Sequence, residues 1–132
     1  MKQFNKIKLY HYSNEDIKKS INPIYYGSGA YTSNDVKCTS VKRCFYYLKP
    51  IPYEHFFKTV QYLYVTEIQK SRLYDLSEDY RGYIIKDKTI TEILNKIKQK
   101  YEGVIYKLGN YNVVNLFYSK KFIHCYNLKK GI

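Results

Sequence analysis

The stretch KIKLYHY, residues 6–12, bears most strongly on the fold because polar and apolar side chains alternate along it. Alternation with a period of two is typical of a β-strand that packs one face on a core. His11 lies near the end of this predicted strand, and Tyr31 follows in a stretch rich in glycine and serine. An imidazole can bind a sugar hydroxyl, and a phenol ring can stack on a flat heterocycle. A packed core histidine and a surface tyrosine are the alternative interpretation of the same two residues.

The remaining periodic stretches predict further strands and helices. Strands are expected over residues 61–68, 72–76, 104–108 and 112–118, the last continuing toward residue 124. Helices are expected over residues 13–20, 41–48 and 90–101. Thr89 and Glu92 form a capping box that starts the third helix, and Gly103 is expected to end it. With a hairpin turn at 109–111, this order predicts an α+β fold with a mainly antiparallel sheet in a single domain over residues 1–132.

The charge balance is strongly basic, with 23 lysines and arginines against 11 acidic residues and a net charge of +12. Such a surface favours an acidic partner, nucleic acid above all. The 18 tyrosines could stack on unpaired bases between lysines. Only three of the basic residues are arginines, however, and the lysines are spread along the whole chain. A basic composition without a nucleic-acid function therefore stays open as the alternative.

The cysteines and the apolar stretches bear on the compartment. Cys38, Cys44 and Cys125 form no CxxC pair, and this spacing favours free thiols in a reducing compartment. The three cysteines also lack the short ligand pairs that are typical of a zinc site. No apolar run approaches the ~18 residues that a membrane span needs, and residues 1–6 lack the apolar stretch of a signal peptide. We therefore expect a cytoplasmic protein without a metal and without a membrane partner.

Three groups of residues, in this order, resemble the motifs of ADP-ribosyltransferase-like domains of the small kind found in phage and mobile-element proteins. The first is Leu9–Ser13, in which a histidine precedes serine. The second is Gly29–Ser33, followed by a helix that ends with the aromatic residues 45–47. The third is the strand pair 101–106 and 112–117. The resemblance spans nearly the whole chain and implies a split, mainly antiparallel β-sheet core with flanking short helices.

The resemblance also implies a site for NAD as a substrate. The NAD-binding residues would be His11, Tyr12, Ser13, Tyr31, Thr32 and Tyr46. His11 would bind the ribose of the nicotinamide half, Tyr31 would stack on the nicotinamide ring, and Tyr46 would be the opposing aromatic. The implied catalytic residues are His11, Tyr31 and Asn112. Glycosidic bond cleavage through an oxocarbenium-like state is the implied chemistry.

The chain departs from the family's motifs at two positions. Asn112 stands where the family has a glutamate, and an amide carries no negative charge and cannot act as a base. Tyr12 stands where the family usually has glycine after the histidine. Three carboxylates elsewhere in the sequence could substitute for the missing glutamate: Glu67, Asp75 and Glu102.

Two function classes follow from these observations. The first is an NAD-dependent mono-ADP-ribosyltransferase lacking the usual glutamate, which would modify a macromolecular acceptor such as a host protein or a nucleic-acid complex during host takeover by a phage. The alternative is a catalytically inactive binding module of the same fold, such as a phage inhibitor of a host protein or defence complex. A basic nucleic-acid-binding protein that uses lysine and tyrosine is the weaker third possibility.

Overall fold

The computed structural model describes residues 5–13, 41–50, 61–84 and 88–128. In these ranges the strands are β1 (Lys6–Ser13), β2 (Cys44–Tyr47), β3 (Tyr62–Gln69), β4 (Leu73–Asp75), β5 (Gly103–Leu108), β6 (Tyr111–Leu116) and β7 (His124–Asn127). The α-helix of the described ranges is α1 (Ile90–Lys98), and a 3₁₀ turn covers Lys70–Arg72.

All seven strands belong to one sheet, in the order β4-β5-β6-β2-β1-β3-β7. Neighbouring strands are antiparallel except β4 and β5, which are parallel. The longest ladder joins β1 and β3 through eight residue pairs, from Lys6↔Gln69 to Ser13↔Tyr62. The prediction of an α+β fold with a mainly antiparallel sheet is thus confirmed.

The sheet must curl, because the 3₁₀ turn joins two strands that are far apart in its order. In a flat sheet β3 and β4 would be five strand spacings apart, about 24 Å at about 4.8 Å each. The four Cα steps from Gln69 to Leu73 reach at most about 14 Å. Ile68 of β3 and Leu73 of β4 also share one buried cluster with Leu116 of β6. The side of the sheet that holds this cluster is its inner face.

Helix α1 covers the outer face over β4, β5 and β6. The capping box is present as expected, with Thr89 Oγ1 accepting from the Glu92 N–H and the Glu92 side chain accepting from the Thr89 N–H. The buried helix residues Leu94 and Ile97 pack in a second cluster with Tyr74, Val104 and Phe117. The amphipathic pattern of the sequence therefore correctly predicts which face of this helix packs on the sheet.

The expected helix over residues 41–48 is wrong, since this segment contains strand β2. Burial alternates along β2 in a two-residue period, with Cys44 and Tyr46 buried and Phe45 and Tyr47 half-buried. Aromatic residues favour strands, and β2 pairs with β6 along its whole length, from Cys44↔Leu116 to Tyr47↔Val113. Distant pairing outweighs the local features that suggested a helix.

Two element ends also differ from expectation. Helix α1 ends at Lys98 rather than at residue 101, and Gly103 is the first residue of β5 rather than a helix cap. Strand β6 ends at Leu116, and residues 124–127 form a separate strand beside β3. The strands expected over 6–12, 61–68, 72–76 and 104–108 are confirmed within one or two residues.

Two further expectations concern other parts of the chain. The helix expected after Ser13 lies outside the described residues, while Ser13 itself ends β1. Across the described ranges, no helix has the length and apolar character needed to cross a bilayer.

Candidate functional site

His11 lies on the inner face of β1 and bonds across to β2. Its Nδ1 is 2.7 Å from the Phe45 carbonyl oxygen. Because a carbonyl oxygen can only accept, Nδ1 carries the proton and donates the hydrogen bond. The ring also meets Tyr46 edge-on, with 5.8 Å between centroids. Since Nδ1–H is the donor, Nε2 of the neutral ring is an acceptor. The side chain is therefore fixed in one tautomer.

This hydrogen bond stands where the ladder between β1 and β2 stops. Among the described residues, the two strands share the single pair Tyr10↔Tyr47. Because the Leu48 N–H donates to the Asn112 carbonyl, even-numbered residues of this segment bond toward β6 and odd-numbered ones toward β1. The next ladder pair would therefore join Tyr12 to Phe45. At this position the imidazole of His11 donates to the Phe45 carbonyl, and we call this place the seam of the sheet.

Tyr46 lies beside His11 on the inner face but not on the surface. Its side chain is 0% exposed and belongs to the inner-face cluster. Within the described ranges its hydroxyl has no hydrogen-bond partner. Burial and the nearby Cys44 thiol raise the pKa of this phenol far above its usual value, so it stays protonated. Tyr46 thus supports His11 by packing, and it would have to become exposed before it could stack on a ligand.

Asn112 lies near the start of β6 and is exposed. It alternates with Val114 and Leu116, which pack in the inner-face cluster, so its side chain shares that face with His11. Strand β2 lies between the two residues, and the register places Asn112 level with Leu48 and Leu9 rather than with His11. Asn112 is therefore roughly 10 Å from His11 across the sheet and about 7 Å away from it along the strands. The cross-strand neighbour of Asn112 is Lys107 of β5.

The other expected site residues are placed as follows. Tyr12 follows His11 and so faces the opposite side of the sheet, where its ring meets Tyr47 edge-on at 6.1 Å between centroids. Its bulky side chain therefore leaves the inner face clear. Ser13 shares the inner face with His11 at the end of β1. Tyr31 and Thr32 lie outside the described residues.

Two of the three carboxylates that could replace the missing glutamate have other partners, and the third lines a cleft that does not include His11. Glu102 forms ion pairs with Arg72, at 3.1 Å, and Lys120, at 3.9 Å. Glu67 lines the same cleft as these side chains, with a volume of about 370 Å³. The Asp75 carboxylate accepts the N–H groups of the next turn of chain. Asn112 is thus the residue of the expected catalytic set that the fold places on the same face as His11.

A cluster that the sequence interpretation missed lies after β4. We call it the tyrosine–arginine cluster; it consists of Tyr74, Asp79, Tyr80, Arg81 and Tyr101. Tyr101 accepts from Arg81 Nε at 2.6 Å, and its hydroxyl lies 2.9 Å from that of Tyr80. Burial opposes ionisation of Tyr101, but these bonds and the charges of Arg81 and Lys100 outweigh it and lower its pKa.

Asp79 organises the loop that carries this cluster. Its carboxylate accepts from the Tyr74 hydroxyl and from the N–H groups of Tyr83 and Ile84. Its backbone adopts a φ of +42°, in the left-handed region that aspartate tolerates better than most residues. The sequence signal for this turn was the run DYRGY, residues 79–83, in which aspartate and glycine flank an arginine between tyrosines.

His11 should make the stability of the protein depend on pH below neutrality. Burial lowers its pKa and outweighs the opposing bond to Phe45. The unfolded chain, with a histidine pKa of about 6.5, therefore binds more protons as the pH falls, and the free energy of unfolding decreases from pH 7 to pH 5. Urea unfolding of the His11→Gln variant should show a smaller decrease over this interval. His124→Gln, at an exposed histidine of β7, should keep the wild-type decrease; equal profiles for all three proteins would contradict this prediction.

Comparison of the chain with protein-family models, with curated proteins and with solved structures finds no match. Within the described ranges, no three histidine, cysteine, aspartate or glutamate side chains come together as a metal site. The proposals below therefore rest on the residues of this chain.

Proposed function

We propose that this chain is an NAD-dependent ADP-ribosyltransferase whose site lies on the inner face of the sheet at the seam. The observation that carries the proposal is the His11 imidazole, held through Nδ1 by the Phe45 carbonyl where β1 and β2 part. The curled sheet, whose shortest ladder lies at this seam, also supports the split fold that the resemblance implies.

The residues near the seam fit the polar groups of an NAD ribose and nicotinamide. His11 Nε2 can accept a hydrogen bond from a ribose hydroxyl, and the Asn112 amide can donate and accept. The Tyr46 ring packs edge-on against His11 and supports the position of the imidazole. Ser13 and the backbone of Tyr12 continue β1 past His11 and are assigned to the nicotinamide half.

The chemistry of this site is mostly orientation. NAD supplies the ribosyl carbon and a nicotinamide leaving group, which departs with the electron pair of the broken C1′–N bond. The acceptor nucleophile then bonds to C1′ and releases its proton to solvent. His11 fixes the ribose through a neutral ring, and Asn112 binds a ribose hydroxyl without adding charge. Because no carboxylate of the described residues lies beside His11 at the seam, we expect slow turnover.

NAD should raise the melting temperature of the wild-type protein. At about 100 times its Kd, a ligand adds about 2.7 kcal/mol to the free energy of unfolding, or roughly 10 °C in Tm for a domain of this size. His11→Gln should abolish the shift, because glutamine can still donate to the Phe45 carbonyl but lacks the Nε2 acceptor. Thermal melting with NAD, and with ATP as a nucleotide control, measures the effect.

The matched control for this experiment is His124→Gln, which removes an exposed histidine from β7. It should melt and respond to NAD as the wild type does. An NAD shift that survives in His11→Gln would show that NAD binds elsewhere or nonspecifically, and the absence of a shift in the wild type would overturn the proposal.

Asn112 favours a second candidate function, a non-catalytic NAD-binding module of the same fold. An amide at this position preserves hydrogen bonding but cannot stabilise a cation. The module should show the His11-dependent melting shift without release of nicotinamide. Measured together, binding and release separate the two functions.

A further inference from the structure

A cleft of about 590 Å³ lies beside the tyrosine–arginine cluster. Its walls include Tyr80, Arg81 and Tyr101 together with Lys70 of the 3₁₀ turn and Asp75 of β4. Its lining includes none of the residues assigned to the NAD site. This volume is in the range of clefts that bind small ligands or parts of larger ones.

Arg81 is exposed and lines this cleft. Nε donates to the Tyr101 hydroxyl, and the guanidinium carbon lies 5.7 Å from the centroid of the Tyr101 ring. Two parallel N–H donors of a fixed guanidinium group match two oxygens of a phosphate.

Tyr80 presents an aromatic ring next to that guanidinium group. Its side chain is 64% exposed although its hydroxyl is held by Tyr101 and its ring tilts against Tyr74 at 5.1 Å between centroids. The ring is thus fixed in place and open to solvent. A fixed, open aromatic ring is a platform on which an unpaired base can stack.

The loop that carries both side chains is ordered before any ligand binds. The Asp79 carboxylate ties the loop to Tyr74, Tyr83 and Ile84. The Arg81 N–H donates to the Tyr74 hydroxyl at 2.9 Å, which fixes the arginine backbone as well. Such pre-organisation reduces the entropy lost on binding.

The charges near the cleft favour an anion. Lys70 lines its wall, Lys100 is close enough to act on Tyr101, and Lys96 lies 5.8 Å above the ring of Tyr83, which also packs on Tyr74. The acid in the lining is Asp75, whose Oδ1 accepts two backbone N–H groups. The net charge of +12 extends the same attraction over the whole chain.

We propose that this cleft binds single-stranded nucleic acid, with the two Nη groups of Arg81 on a phosphate and the ring of Tyr80 under an adjacent base. Lys70, which lines the cleft, contacts a neighbouring phosphate. The exposed ring favours a single strand over a duplex, because bases in a duplex are already stacked on each other. This site is independent of NAD chemistry.

Fluorescence anisotropy with a labelled twelve-nucleotide oligo(dT) tests the proposal at several salt concentrations. Arg81→Gln should weaken binding about tenfold and reduce the slope of log K against log salt by about 0.7, the value for one phosphate contact to a single strand. Tyr80→Ala should weaken binding about 5- to 150-fold, as for loss of one stacked base, with no change in slope. Tyr80→Phe should bind as the wild type does.

The matched control is Lys107→Gln, which removes an exposed positive charge from β5 outside the cleft. It should weaken binding less than about twofold. An equal loss for Lys107→Gln and Arg81→Gln would indicate a diffuse electrostatic effect and overturn the proposal. Stronger binding to duplex DNA than to oligo(dT) would also overturn it. If poly-glutamate displaces the labelled oligo(dT) as well as unlabelled oligo(dT) does, the proposal is overturned in favour of an acidic polypeptide. If Arg81→Gln melts far below the wild type, the comparison of Tyr80→Ala with Tyr80→Phe tests the proposal instead, because Tyr80 is exposed.

Discussion

Asn112→Glu is expected to increase the rate of nicotinamide release from NAD by about 10²-fold or more, the range of a positioned acid–base group. Asn112 shares the inner face with His11, so a carboxylate there would oppose the positive charge that develops on the ribose. The cross-strand neighbour Lys107 should accommodate the new charge in the folded sheet. Chromatographic measurement of nicotinamide at saturating NAD gives the rate.

The control for this substitution is Asn110→Glu, which places the same charge two residues earlier, in the turn between β5 and β6. Its rate should equal that of the wild type. The double variant His11→Gln, Asn112→Glu should lose the gain, because the ribose is no longer held. If Asn112→Glu binds NAD but releases nicotinamide no faster than Asn110→Glu, then position 112 does not face the sugar and the assigned site is wrong.

Gly103→Ala is expected to lower the free energy of unfolding by about 3 kcal/mol or more, the upper end of overpacking effects. A Cβ atom at Gly103 would lie 2.3 Å from the Asn115 carbonyl oxygen and 2.9 Å from Leu116 Cδ2. The carbonyl belongs to the strand that pairs with β5, so it cannot move without breaking the Gly103↔Leu116 end of the ladder. Urea unfolding followed by circular dichroism measures the change.

Gly109→Ala is the matched control, since it adds the same methyl group at a glycine with nothing within 4 Å of its Cβ position. Its φ of +62° makes alanine unfavourable by about 1–2 kcal/mol, so some destabilisation is expected there too. The prediction is therefore an order: Gly103→Ala must be the less stable of the two proteins. The reverse order would mean that β5 and β6 do not approach each other as closely as described.

The elements that local sequence could predict are those whose signals are local. Strand β1 follows from its alternation, α1 from the capping box and its apolar face, and the β5–β6 hairpin from the turn at Gly109. Strand β2 could not be predicted in this way, because its four residues are decided by pairing with Val113–Leu116, about 70 positions later in the chain. The role of Gly103 was predicted wrongly for a related reason. Asn115 and Leu116 approach it closely in the fold, and the residues next to Gly103 in the sequence give no sign of this contact.

The same distinction applies to the candidate sites. The position of His11 at a strand end was predictable from the alternating run, but its bond to Phe45 depends on how β1 and β2 diverge. The tyrosine–arginine cluster was missed because Tyr101 joins it from 20 residues beyond Arg81. A local turn signal existed in residues 79–83, yet only the fold shows that the turn presents a ring and a guanidinium group together.

The seam has a consequence for how the molecule opens. On one side, β1 is joined to β3 by eight residue pairs; on the other, β5 is joined to β6 by six, and β2 to β6 by four. Between β1 and β2 stand the pair Tyr10↔Tyr47 and the imidazole bond of His11. This joint is the shortest ladder of the sheet, so we expect its backbone amides to exchange with solvent before those of the longer ladders. A ligand that contacts both His11 and Asn112 would bridge this joint and hold β1 and β3 against β2, β5 and β6.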